Sequence, residues 1–366
     1  MKYIIDRSKS APAYLQLYSL IKEDIVSGIY RIGEKLPSKR FTAQETGVST
    51  VTVEHAYGLL CDEGYAEARE RSGYIVVFRR DDGFMASAER QETAVVAEYP
   101  PHVSESSFPF PLLAKTMRKV QNDFGERILE RSPNAGCIEL RTEISRYLER
   151  SRGIKAAPEQ IIIGSGSEYL YGFTVDLLGR ERKYAIESPS YKKIEQVYET
   201  CGVKFDKLAL GKDGIISRYL KSTDASVLHI SPYRSFPSGV TASASKRHEY
   251  VRWAEERDGI IIEDDFESEF SVSRKPEETL FALSENGNVI YMNTFSKTLS
   301  PSLRVGYLVL PKRLTEEYGK KIGFYSCSVP TFIQLVVAEI IASGNFERHI
   351  NRERRKKRKE MMQSDG

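Results

Sequence analysis

The chain has 366 residues, 40% of them hydrophobic and 29% charged, which is enough for two domains, one of them large. Its formal net charge of +3 excludes a globally basic nucleic-acid binder, so any DNA-facing surface has to be local. Cys61, Cys137, Cys201 and Cys327 lie far apart without a Cys-x-x-Cys pair, which argues against a zinc centre or a disulfide framework and fits a reducing cytosol.

Residues 1–10 lack the apolar core of a signal peptide. The first sustained pattern follows: Tyr14, Leu17, Tyr18, Ile21 and Ile25 repeat at helical spacing until Gly28. Leu36-Pro37-Ser38 gives a turn and an N-cap for a short helix through Glu45, closed by Gly47. Ser49 caps a third helix whose buried stripe is Val53, Ala56, Tyr57 and Leu60, and Gly64 ends it. Residues 65–69 and 73–78 alternate like two strands around Glu70-Arg71-Ser72. Two short helices, a tight turn and a two-stranded wing make a winged helix-turn-helix over residues 1–78. Its third helix would present Ser49, Thr50, Val51, Thr52, Glu54 and His55 to base edges, with Ser38, Lys39 and Arg40 at phosphates and Arg69 and Arg71 on the wing. The plainer reading is a three-helix protein-interaction module with solvated basic residues.

No period is sustained over residues 79–107, which read as a linker. From Phe108 onward strands and helices alternate. Strands are expected at 161–163, 184–186, 227–230, 260–263, 289–292 and 305–310, and helices at 141–152, 168–178, 192–201 and 245–257. Short aliphatic strands separated by helices imply a mostly parallel sheet covered on both faces. The late apolar stretch 332–342 is interrupted by Gln334 and Glu339 and is too short to span a bilayer.

Chemistry concentrates in Thr294-Phe295-Ser296-Lys297, set between the last two expected strands, with Arg304 downstream. A lysine fixed between buried strands is badly placed for solvation and well placed for a carbonyl, and desolvated lysines form Schiff bases with pyridoxal phosphate. Thr294 and Ser296 supply hydroxyls, and Arg304 a planar fork, for a phosphate. The strand 260–263 runs into Glu263-Asp264-Asp265, one of which would keep a pyridine nitrogen protonated. Gly164-Ser165-Gly166-Ser167-Glu168 is a glycine turn opening a helix, able to offer amides to a phosphate. A dinucleotide fingerprint fails there, because Tyr169 stands where its third glycine belongs. Tyr191, after a strand, is either a stacking ring or a rim tyrosine, and Arg234 in the rigid loop 231–239 is either a ligand contact or a surface arginine.

Two resemblances bear on these residues. Leu36-Pro37-Ser38-Lys39-Arg40, Gly47-Val48-Ser49, Thr52-Val53, Ala56-Tyr57, Leu60 and Glu63-Gly64-Tyr65 resemble the GntR-type winged helix. Leu140-Arg141, Tyr147-Leu148, Arg152-Gly153, the stretch 158–163, Phe236-Pro237-Ser238-Gly239, the stretches 261–266 and 268–270, and Thr294-Phe295-Ser296-Lys297 with Leu303-Arg304 and Gly306-Tyr307 resemble fold-type I pyridoxal-phosphate enzymes. Together they resemble the MocR subfamily, which fuses the two. The resemblance implies a multidomain fold: a GntR-type winged helix-turn-helix over 1–78, a linker over 79–107, and an α/β aminotransferase-like domain of fold type I over 108–366. It implies pyridoxal 5'-phosphate as cofactor, with Lys297 as its covalent attachment point and Asp264 facing the ring nitrogen. Arg304, Ser296, Thr294 and amides around Gly166 and Ser167 would hold the phosphate, and Tyr191 would stack on the ring. Its partners would be double-stranded operator DNA, a small amine or amino-acid effector, and a second copy in a homodimer, with no metal and no membrane.

Departures from that pattern set further expectations. Thr50 stands where the family usually has arginine, which points to a different operator. Phe266 replaces a common tyrosine, with Tyr233 as a substitute hydroxyl, and Arg234-Ser235 replaces a His-Gln pair. The chain stops soon after residue 350, so the small domain is expected to be incomplete and its carboxylate-clamping arginine missing. The basic run 352–359 then reads as a solvated interdomain helix left dangling, or as a nonspecific nucleic-acid tail. On these grounds the leading reading is a transcription regulator sensing an amine or the cofactor, with turnover disfavoured. The rival is a working aminotransferase carrying an accessory helix-turn-helix module.

Overall fold

The structure, a computed structural model, describes residues 3–6, 11–70, 72–79, 108–266, 268–271 and 277–364. It falls into two compact units, Met1–Pro100 and Pro101–Gly366. Residues 80–107, nearly all of the expected linker, lie outside the described residues.

In the first unit, α1 (Ala13–Ser27) buries Leu17, Tyr18, Ile21 and Ile25 and ends at Gly28, whose φ of +86° only glycine adopts cheaply. Helix α2 (Lys39–Thr46) starts where the Ser38 hydroxyl accepts the Phe41 N–H, and α3 (Thr50–Asp62) where Ser49 accepts that of Thr52. A hairpin of β1 (Ala66–Arg69) and β2 (Gly73–Val76) pairs Ala66 with Val76 and Arg69 with Gly73. Leu17, Ile21, Leu36, Val53, Tyr57 and Leu60 form one core, so the winged helix is as expected from the pattern.

The second unit runs through α4 (Phe110–Phe124), α5 (Ile138–Arg152), β3 (Ile161–Gly164), α6 (Ser167–Leu178), β4 (Tyr184–Ser188), α7 (Lys192–Thr200), β5 (Phe205–Gly211), β6 (Gly214–Ile215), α8 (Ser217–Ser222), β7 (Val227–Ile230), α9 (Ala244–Glu256), β8 (Ile260–Asp264), α10 (Leu280–Leu283), β9 (Val289–Thr294), β10 (Gly306–Val309), α11 (Lys312–Lys321), α12 (Thr331–Ala342) and α13 (Asn345–Ser364). The strands form one eight-stranded sheet in the order β3-β10-β9-β8-β7-β4-β5-β6. Strands β9, β8, β7, β4 and β5 are parallel to their neighbours, as expected. The exceptions are β10, antiparallel to both β9 and β3, and the short edge strand β6. A parallel return from β9 would need a crossover of a dozen or more residues, usually through a helix; residues 295–305 instead make a loop that turns the chain back.

Alternation along the strands sorts the chemistry by face. Ile260, Ile262, Ile290, Met292 and Leu308 point to the side covered by Leu170, Tyr171 and Tyr198 of α6 and α7. Ile161, Ile163, Tyr291, Tyr307 and Val309 point to the other side, against α5 and α12. Asp264 shares the parity of Ile260 and Ile262, whereas Glu263 and Asp265 face the opposite way. Register brings Gly164, Thr294 and Gly306 side by side, so β3 and β9 end beside the start of β10. That carboxyl edge is where open α/β sheets bind ligands.

Candidate cofactor site and DNA-reading face

A cavity of about 600 Å³ opens at this edge. Ser167, Glu168 and Tyr171 from the start of α6 line it, with Tyr191 before α7, Ser231 and Phe236 after β7, and Asp264 and Phe266 at the end of β8. The loop after β9 adds Thr294, Ser296, Lys297, Pro301 and Arg304. Lys297 and Asp264 thus share one cavity on one side of the sheet.

Lys297 stands in the loop 295–305, pinned by the buried Phe295, Thr298 and Leu299. Its side chain is exposed, with Nζ 3.8 Å from the centre of the Phe266 ring. The expectation of a desolvated lysine is therefore corrected: the loop lifts it out from between the strands to the cavity mouth, over an aromatic face. Phe266 leaves no hydroxyl at its position. Tyr233 does not replace it, because its hydroxyl lies 2.6 Å from Glu263 Oε1 and 3.0 Å from the Glu278 carbonyl, and its ring packs under the Arg152 guanidinium. Placing Tyr233 at the cofactor is the second correction, and its cause is strand parity: Tyr233 binds the carboxylate that faces away from the cavity.

Asp264 is buried, and its Oδ2 accepts the Tyr171 hydroxyl at 2.6 Å. His229 Nε2 stands 3.6 Å from the same oxygen, and His229 Nδ1 lies 2.7 Å from the Tyr198 hydroxyl. Burial pushes the phenols of Tyr171 and Tyr198 well above their usual range, so both keep their protons at neutral pH. The Tyr198 hydroxyl and His229 Nδ1 share one hydrogen bond, whose donor is set by the imidazole tautomer. Sequence reasoning missed Tyr171 and His229. The available signal was an ionisable residue inside the aliphatic strand Val227–Ile230. Glu263, Asp265 and Glu269 serve the other face: Asp265 pairs with Arg152 at 2.9 Å and accepts the Tyr291 hydroxyl, and Glu269 accepts from Asn293 at 2.7 Å.

The glycine turn and Arg304 suit an anion. Gly166, at φ +90° and ψ 175°, caps α6, and a Cβ there would lie 2.7 Å from Arg304 Nη2. Arg304 is itself left-handed at φ +50° and brings its fork against the turn, where Nη2 donates to the Ser165 carbonyl at 3.3 Å. Ser167 starts α6, and Thr294 and Ser296 stand alongside. Tyr191, 36% exposed, sits at the rim with its ring edge-on to Phe236. A basic amine and a buried carboxylate in one cavity, with an arginine over a glycine turn, fit a pyridine aldehyde bearing a phosphate.

Helix α13 also reaches the cavity, through Glu353 and Lys357. Arg354 Nε donates to the Glu269 carbonyl at 2.6 Å, and Lys357 Nζ lies over the Phe270 ring. The basic run is thus neither dangling nor wholly solvated; one face of it docks on residues 268–270.

On the winged helix, Thr50, Val51, Glu54 and His55 form the exposed face of α3. The Ser38 and Ser49 hydroxyls are engaged as helix caps, and Ser49 Oγ also meets Thr52 Oγ1 at 2.8 Å. Lys39, expected at a phosphate, pairs with Glu54 at 2.7 Å, while Arg40 is exposed. His55 packs edge-on to Tyr14. Arg71 lies outside the described residues.

Comparison with known proteins covers both units. Residues 13–76 match the family described as bacterial regulatory proteins of the gntR family, and residues 101–364 match aminotransferase class I and II. The HTH-type transcriptional regulator YdeL of Bacillus subtilis is 32% identical over 365 residues, which span 97% of this chain and 79% of YdeL. The "probable rhizopine catabolism regulatory protein MocR" of Rhizobium meliloti is 28% identical over 375 residues, covering 96% of this chain and 76% of its own. Among solved structures, the kynurenine aminotransferase of Pyrococcus horikoshii, determined with PMP, shares the fold at a TM-score of 0.60. It is 24% identical and covers 76% of this chain and 73% of its own. Among the described residues no helix is long and apolar enough to cross a membrane.

Proposed function

This chain belongs to the MocR-type GntR regulators, DNA-binding proteins that carry a pyridoxal-phosphate-binding, aminotransferase-like domain, and on that premise we propose how its two units divide the work. The second unit holds the cofactor in the cavity around Lys297 and senses a small amine, an amino acid or the cofactor itself. The first unit reads an operator through α3, two chains together address paired half-sites, and the protein works in the cytoplasm.

Bound pyridoxal phosphate supplies a carbonyl that condenses with amines. The chain's own residues do the rest. Lys297 presents the amine that anchors it. Asp264, held by Tyr171 and faced by His229, would stand at the ring nitrogen and favour its protonated form. Arg304, Thr294, Ser296 and the amides around Gly166 and Ser167 would hold the phosphate, and Tyr191 would cover the ring. The observation that carries this reading is the meeting of Lys297, Asp264 and Arg304 in one cavity.

Regulation requires that effector and DNA favour different states of the same protein, so each must change the other's affinity. A gel-shift titration of the gene's own upstream region, with and without pyridoxal phosphate or a panel of amines, tests it. A changed midpoint is expected. An unchanged midpoint, together with steady amino-group transfer between amino and keto acids, would favour the enzyme reading instead.

A further inference from the structure

Glu168 is out of keeping with an anion site. It lines the cavity at the second position of α6, and its Oε2 lies 3.2 Å from Arg304 Nη2, the guanidinium group closest to the glycine turn. Its other oxygen is held by Lys193 Nζ at 2.6 Å. Glu168 therefore links the cavity's Arg304 to Lys193 beside the glycine turn, and a phosphate monoester brings a charge of about −1.5 to −2 at neutral pH. The carboxylate offsets the charge of the arginine that faces the glycine turn.

We propose that Glu168 is a gate in the phosphate cradle: it competes with the anion for Arg304 and keeps the site's affinity for pyridoxal phosphate low enough for reversible occupancy. This rests on the reading of the cavity as a pyridoxal-phosphate site, and deepens it. The Arg304–Glu168 pair is half in water, with side chains 49% and 35% exposed, so it is a weak latch that a doubly charged group can open. Lys193 gives the displaced carboxylate a place to stay. Lys193, and more weakly Arg304, hold the Glu168 carboxyl below its usual range, so it is charged when the phosphate arrives. The rival explanation is local: an acid in the first turn of a helix favours the helix dipole. That role affects the stability of α6 and leaves anion affinity alone.

Full-length wild type, Glu168→Gln, Lys193→Met and the double variant are titrated with pyridoxal phosphate, followed by the visible absorbance of the lysine adduct. Inorganic phosphate is then used as a competitor that cannot react with an amine. Glu168→Gln is expected to tighten both ligands about three- to tenfold, the scale of one or two solvent-screened charge contacts. Lys193→Met is expected to weaken binding more when residue 168 is Glu than when it is Gln. Equal or weaker affinity in Glu168→Gln, with only its melting temperature lowered, overturns the gate and leaves the helix-end role. If neither wild type nor Glu168→Gln forms a coloured adduct at Lys297, the cofactor reading itself fails and the gate falls with it.

Discussion

At the scale of single residues, the site divides into groups that touch the cavity and groups that set their charge. Glu187, at the end of β4, is fully buried; its Oε2 accepts the Ser235 hydroxyl at 2.6 Å and the Ser231 N–H. Burial, opposed by these two bonds and reinforced by Asp264, pushes its carboxyl up to about 7 from the ordinary 4.5. Between those values the native state holds a proton that the unfolded chain has lost. Its stabilising contribution is therefore complete below 4.5 and fades as pH rises through 7. Glu187→Gln keeps an acceptor for Ser235 and removes the titration, so its melting temperature is expected to fall less than that of wild type between about pH 5 and 8. An identical decline in both proteins would show that this carboxyl does not titrate in that range. Lys297, Asp264 and Arg304 were legible because each stands in a short local pattern. Tyr171, His229 and Glu168 were not, since their roles come from α6 and β7 being packed against β8 and the loop after β9. Tyr233 was misplaced for the same reason: only the strand's parity tells which of three consecutive acids faces the cavity.

At the scale of elements, the reading rests on two turns and one helix pair. Gly166 holds a backbone conformation that is essentially glycine-only, with Arg304 directly above it. Gly166→Ala is expected to cost about 1–3 kcal/mol in backbone strain, seen as a lower melting temperature, and to weaken phosphate binding by displacing Arg304. An unchanged melt and unchanged affinity would mean that the turn tolerates a side chain. In the winged helix, Glu54 on α3 neutralises Lys39 on α2. Glu54→Gln is expected to release Lys39 toward DNA phosphates, tightening binding to a mixed-sequence duplex and steepening its salt slope by about 1 unit. Equal slopes by fluorescence anisotropy would leave Lys39 out of the interface. Helix periods, caps and most strands were legible in the chain. The antiparallel sense of β10 was not, because aliphatic runs carry no direction and only the shortness of 295–305 hints at a hairpin-like return. The docking of α13 was hidden as well, since a run of eight mostly basic residues masks the few that turn inward.

At the scale of the whole molecule, a near-neutral chain carries a DNA-reading unit with its own core and a larger unit whose cavity gathers an amine, a carboxylate and an anion cradle. The division into a winged helix and an α/β domain could be read from the change in hydrophobic period near Phe108, because each unit buries its own stripe or sheet. What passes between them is a matter of linked equilibria rather than of either core. The account depends on covalent capture of the cofactor at one place. Incubating the full chain with pyridoxal phosphate, reducing it with borohydride and mapping the peptides by mass spectrometry tests this directly. The account predicts a single phosphopyridoxyl group on Lys297, its yield reduced when Asp264 is replaced by alanine; label spread over surface lysines, or none on Lys297, would contradict it.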